Sequence, residues 1–180
     1  MSRLYHVSDD GGIELFEPRV PPSKNVGIDY PCVWGISEER LVNYLLPRDC
    51  PRVTYYAKQE NEESDTATLM GPGRPRCVVA IEEAWLERAT EETLYLYGFD
   101  GDSFECVDEG AGYWVSRMAL RPFAVYKIEK PLMELTTRGA ELRVVASLWP
   151  VRDAVLESSL QFSFIRMRNA KPRSEEGVLK

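Results

Sequence analysis

His6 is the only histidine in the chain, and it stands inside the apolar run Leu4-Tyr5-His6-Val7-Ser8. Short strands usually draw their polar atoms from serine or threonine. An imidazole at that place is either a core group with its hydrogen bonds met or the edge of a binding site. Two later runs have the same form: Cys32-Val33-Trp34-Gly35-Ile36-Ser37 and Gly112-Tyr113-Trp114-Val115-Ser116. Each is short, apolar and aromatic, and closes on serine. The imidazole can bond a hydroxyl, and the aromatic faces can hold a planar ring. Core packing is the competing account of Trp34, Trp114 and Tyr44, and a satisfied strand histidine is the competing account of His6.

Other chemistries lack their residues. With one histidine, a Ser-His-Asp triad would have to use His6, and no serine has the small flanking residues of a nucleophile elbow. No phosphate-loop, dinucleotide-fingerprint or H-E-x-x-H pattern occurs. Cys32, Cys50, Cys77 and Cys106 form no C-x-x-C pair, so no metal is expected. Cys32, Cys77 and Cys106 lie in or beside apolar runs, while Cys50 in Arg48-Asp49-Cys50-Pro51-Arg52 has the most polar surroundings. The set reads as reduced, mostly buried thiols of a cytoplasmic protein.

The elements that must position these residues follow from pattern. The chain has 180 residues, 44% hydrophobic and 28% charged, which suits one soluble domain with a core. A net charge of -7 argues against general nucleic-acid binding. No apolar stretch nears the roughly 20 residues that span a bilayer, so no membrane segment is expected. Strands are expected at 3–8, 32–36, 53–57, 77–82, 94–97, 104–107, 112–116, 123–128 and 142–146. Ser37 followed by Glu38 and Glu39 reads as a capped helix start. Leu132 to Arg138 reads as a helix stopped by Gly139, and Pro150 to about Asn169 as one long helix. The acids and Gly-Pro-Gly of residues 58–76 read as a mobile surface insertion outside the core, and 171–180 as a flexible tail. Short strands outnumber helices without regular alternation. The expected fold is therefore α+β, a single domain over 1–170, with a mixed, bent sheet of short strands and a helical C-terminal region.

The three runs also carry a resemblance. Leu4-Tyr5-His6-Val7-Ser8, followed by Phe16-Glu17-Pro18-Arg19, resembles the opening of the ADP-ribosyltransferase-like fold. Val33-Trp34-Gly35-Ile36-Ser37 running to Asn43-Tyr44 is similar to its second motif, and Gly112-Tyr113-Trp114-Val115-Ser116 to its third. The chain also looks like a family of uncharacterised bacterial proteins with no assigned function. The superfamily resemblance covers residues 3 to about 129. It implies that His6 bonds the ribose of NAD and that Trp34 or Tyr44 meets the nicotinamide. It further implies that Tyr5, Arg19, Ser37 and Ser116 line a nucleotide site.

In that fold the third motif carries a catalytic glutamate, and here the position falls on Tyr113. A tyrosine is not an anion at neutral pH. Glu109 lies four residues back, roughly 13 Å along an extended strand, and only a turn at Gly110–Gly112 returns it to the site. The expected function is an NAD- or nucleotide-related ligand site, with ADP-ribosyl transfer or a degenerate form of it. His6, Tyr113 and Glu109 are its candidate catalytic residues. A non-catalytic binding or interaction module is the first alternative. The second is an RNA 2′-phosphotransferase-like enzyme, which uses histidine and arginine in place of the glutamate.

Overall fold

The computed structural model describes residues 3–21, 27–58 and 62–173. The strands are short and sort into two sheets, giving the mixed α+β class. Contacts gather the chain into two compact units, residues 1–48 with 92–131, and residues 49–91 with 132–180.

The first unit is built on six antiparallel strands. They are β1 (Arg3–Ser8), β2 (Val33–Ser37), β5 (Leu94–Asp100), β6 (Glu105–Asp108), β7 (Tyr113–Ser116) and β8 (Ala124–Ile128). Their order is β6-β7-β2-β1-β5-β8. β1 lies between β2 and β5. It pairs with β5 over six residues, from Arg3↔Asp100 to Ser8↔Tyr95. With β2 it pairs only at Leu4↔Ser37 and Tyr5↔Ile36. A 3-10 helix, Glu38–Tyr44, follows β2 and buries Leu41, Val42 and Asn43. Ser37 takes the extended N-cap conformation, but its side chain makes no cap bond. The acidic start predicted here therefore opens a tighter helix than the expected α-helix.

The second unit has the order β10-β3-β4-β9. Its strands are β3 (Arg52–Tyr56), β4 (Cys77–Glu82), β9 (Ala140–Val145) and β10 (Gln161–Ile165). β4 is buried along its whole length and runs parallel to β9, the central position its apolar run predicts. One face packs Val53, Tyr55, Val78 and Ala80 against Met70, Leu148, Val155 and Leu160. The helices are α1 (Glu63–Asp65), continued by a π-helical turn Thr66–Met70, then α2 (Leu86–Glu91), α3 (Pro131–Thr137) and α4 (Trp149–Leu156). Gly139 takes φ +81° just past α3, as its stop position predicts.

Three expectations change. The polar insertion contributes to the core after all. Residues 63–70 are helical, and the Met70 side chain lies fully buried in the apolar cluster. One apolar face was hidden in a segment dominated by acids. The long C-terminal helix stops at Leu156, and Gln161-Phe162-Ser163-Phe164-Ile165 pairs as β10 beside β3. Polar and aromatic residues alternate there with the period of a strand, not of a helix. Among the cysteines, Cys50 is fully buried, with its thiol pushed up to about 12 by burial, while Cys106 is exposed. Of the expected tail, the Lys171 backbone N–H bonds both oxygens of buried Glu82, at 3.2 and 3.0 Å, and residues 174–180 lie outside the described residues.

Candidate functional site

β1, β2 and β7 carry the three runs side by side. Tyr5 stands opposite Ile36, and Ile36 opposite Tyr113. Residues directly opposite across a ladder share a face, as do residues two apart along a strand. Tyr5, Trp34, Ile36, Tyr113 and Val115 therefore share one face of the sheet. Leu4, His6, Val33 and Trp114 belong to the other, where Leu4, Val33, Tyr97, Phe99 and Phe104 form a core around Phe16. The sequence expectation set His6, Tyr44 and Tyr113 in one cleft. The register directs the imidazole and the Trp34–Tyr113 pair to opposite faces instead.

His6 is half-buried. Its Nδ1 lies 3.1 Å from the Trp34 carbonyl oxygen. A carbonyl only accepts, so Nδ1 carries the proton and donates it. Nε2 is then the unprotonated nitrogen, and it has no protein partner among the described residues. Burial holds the imidazole below its ordinary titration range. The Trp34 carbonyl opposes that shift, and the Arg48 charge adds to it. His6 is thus an imidazole held towards its neutral form, with Nε2 as its acceptor nitrogen.

The aromatic residues do come together. Tyr44, on the 3-10 helix, donates its hydroxyl to that of Tyr113 at 3.1 Å. The Trp34 ring meets Tyr113 edge-on, with centroids 5.6 Å apart and planes at 85°. Each of the three is partly exposed. The group presents ring edges and a phenol pair and carries no charge. It can hold a planar ring and bond its polar substituents.

The remaining candidates separate. Glu109 is exposed in the turn between β6 and β7, where its carbonyl accepts the Gly112 N–H at 3.2 Å. Ser37 N–H donates to the Gly112 carbonyl at 3.0 Å, fixing that turn to the head of the 3-10 helix. Ser116 is buried, and its hydroxyl accepts the Met118 N–H at 3.2 Å, a turn contact within the sheet. Tyr5 is buried. Arg19 is exposed and exchanges two backbone bonds with Cys32. Among the described residues no cluster of three or more His, Cys, Asp or Glu could hold a metal ion. No helix among them is long and apolar enough to cross a membrane.

Sequence reasoning missed the residues that surround His6. Phe16 meets the imidazole edge-on at 5.0 Å, and Tyr97 meets Phe16 at the same distance. Tyr97 stands directly opposite His6 on β5. Its strand run, Leu94-Tyr95-Leu96-Tyr97, was legible, but its register against β1 was not. Arg48 is one of sixteen arginines in the chain, with no signal in the sequence to single it out.

No curated protein matches the chain. No solved structure matches it either. A family model does match residues 5–170, nearly the whole described chain, and by it this protein belongs to a family of unknown function, DUF6886.

Proposed function

We propose that this chain binds an NAD- or nucleotide-related ligand through His6 and the Trp34–Tyr44–Tyr113 group, and that it is a poor catalyst of glutamate-dependent ADP-ribosyl transfer. The observation that carries the reading is the Nδ1 bond of His6 to the Trp34 carbonyl. It leaves Nε2 as an acceptor suited to a ribose hydroxyl. β1 and β2 share no further pairs beyond Tyr5↔Ile36, and a ligand that meets both groups reaches them where the two strands part.

The case against brisk catalysis is the charge balance. Breaking the nicotinamide–ribose bond builds positive charge on the ribose, which a preorganised anion must offset. The charge that bears on His6 is that of Arg48. At the position of the expected acid stands Tyr113, which accepts the Tyr44 hydroxyl. Losing one such preorganised group costs about 100- to 1,000-fold in rate.

The test is thermal stability of the purified chain with NAD, ADP-ribose and nucleotides. A ligand at 100 times its Kd stabilises the native state by about 2.7 kcal/mol. The expected result is a rise in Tm that disappears in His6→Ala. No rise with any of them at millimolar concentration refutes the binding reading. Nicotinamide release is expected to be slow. Brisk release that is lost in Glu109→Gln would overturn the catalytic half and place Glu109 in the site.

A second reading rests on Arg48. A histidine that feels the positive charge of an arginine suits a phosphate-bearing ribose, the substrate chemistry of an RNA 2′-phosphotransferase-like enzyme. Transfer of the 2′-phosphate of an oligonucleotide to the ribose of NAD, with the 2′-hydroxyl restored and nicotinamide released, lost in Arg48→Ala, is the outcome that favours it.

A further inference from the structure

We propose that Tyr97 is the positioning residue of the single histidine: acting through Phe16, it holds the imidazole in the one orientation that points Nδ1 at the Trp34 carbonyl and leaves Nε2 for a ligand. The inference rests on the binding reading for its functional meaning, but the geometry stands without it.

Tyr97 is fully buried on β5 and faces His6 directly across the ladder. Its hydroxyl is used twice. It donates to the Asp10 carbonyl at 2.6 Å and accepts the Ile13 N–H at 3.2 Å. Both partners lie in the turn by which the chain leaves β1. That turn is further closed by the Gly12 N–H on the Asp10 carboxylate at 2.8 Å. Three residues past Ile13 the chain delivers Phe16, whose N–H and carbonyl both pair with Leu120, at 2.8 and 2.9 Å. The Phe16 ring then lies edge-on to Tyr97, His6 and Phe99 at 5.0, 5.0 and 5.1 Å.

The imidazole needs this support because its outer torsion is intrinsically soft. An sp3–sp2 torsion has broad, roughly two-fold wells, so rotation about it exchanges the nitrogen and carbon edges at little cost. One hydrogen bond to a carbonyl fixes one edge. A ring packed against the imidazole blocks the swing that would release it. Phe16 supplies that ring, and Tyr97 fixes Phe16 twice, by ring contact and by clamping the turn before it. Tyr97 touches no ligand in this scheme.

One histidine makes the test direct, because the two ring nitrogens give signals that belong to one residue. In the 15N-labelled full chain, wild type is expected to show a single neutral tautomer protonated at Nδ1, titrating below the ordinary 6.5. Tyr97→Phe keeps the ring and removes both clamping bonds. It is expected to show averaged tautomer signals and a titration moved back towards 6.5. The exposed Tyr126→Phe serves as control and is expected to leave both unchanged. A Tyr97→Phe protein that loses Tm but keeps the wild-type tautomer and titration overturns the proposal, since a merely structural tyrosine would behave that way. If Tyr97→Phe fails to fold, Phe16→Leu decides by the same two readouts. ADP-ribose added to the wild type forms a separate arm. A silent Nε2 there refutes the binding reading and leaves the positioning result intact.

Discussion

Gly112 offers the sharpest quantitative test of how the site is assembled, with Gly110 two residues away as its control. Gly112 has φ +68°, and a Cβ there would lie 2.4 Å from the Ser37 hydroxyl and 2.5 and 2.9 Å from Cγ and Cβ of Arg40. Those Arg40 atoms are near the backbone and cannot swing away. Alanine in the left-handed region costs about 1–2 kcal/mol. Relieving the contact means moving the turn away from the 3-10 helix. That breaks the 3.0 Å Ser37 N–H bond to the Gly112 carbonyl, at a further 0.5–1.5 kcal/mol or so. Gly112→Ala is therefore expected to destabilise by about 2–3 kcal/mol, a midpoint lower by about 1 M urea at an m value of about 2 kcal/mol/M. The same shift moves Tyr113, its chain neighbour, off the Tyr44 hydroxyl, so ligand-induced stabilisation should vanish with it. At Gly110 the nearest atom to an added Cβ is Asp108 Oδ1 at 3.4 Å, and φ is not positive. Gly110→Ala is expected to be neutral or to stabilise by about 0.4–1 kcal/mol through the unfolded state. Urea unfolding followed by tryptophan fluorescence reads both, since Trp34 and Trp114 lie on the paired strands β2 and β7. Equal effects of the two substitutions would refute the reasoning.

Three further outcomes are expected. Thr54 is fully buried, and its hydroxyl has no hydrogen-bond partner among the described residues; Thr54→Val removes a desolvation cost of about 1–3 kcal/mol and should leave stability unchanged or raised, while a clear loss in urea melts would refute this. Met70→Ala should destabilise by about 2–5 kcal/mol, because its side chain fills the core of the four-stranded unit; an effect below about 0.5 kcal/mol would return residues 63–70 to the surface. The folded His6 titrates below its ordinary 6.5, chiefly through burial, so the unfolded chain takes the proton first as pH falls. Its contribution is present above 6.5 and is lost as pH drops from there through the folded value. His6→Gln should flatten that part of the stability-against-pH curve, and parallel curves for the two proteins would refute it.

What the sequence revealed depends on how far apart the partners lie. β4 was legible because five consecutive residues, Cys77–Ile81, are apolar and all are buried; only Glu82 draws on distant segments, the Leu148 and Lys171 N–H groups. The stop of α3 was legible because Gly139 alone satisfies it. β10 was not, because the alternation in Gln161–Ile165 is weak and follows directly on a true helix, so that proline-led pattern continued unopposed. Cys50 defied its polar neighbours for a related reason. Arg52 turns inward and bonds the Cys50 carbonyl at 2.8 Å, so charged residues in the local sequence do not mean water around the thiol.

The candidate site shows the same division between local and distant information. Tyr5 and His6 are adjacent on one strand, and period two alone sets them on opposite faces. That both could not line one wall was readable from β1 by itself. The face taken by Trp34 and Tyr113 was not readable, since it depends on the pairing of Ile36 with Tyr5 and Tyr113, and a slip of one residue reverses it. With this register, the link between His6 and the aromatic group is the Trp34 backbone: its carbonyl holds the imidazole while its ring holds Tyr113. Side-chain changes at Trp34 therefore bear on the aromatic face and leave the His6 bond available. A backbone shift in β2 disturbs both. That asymmetry places the mechanical centre of the site on β2, between two faces that the side chains alone do not join.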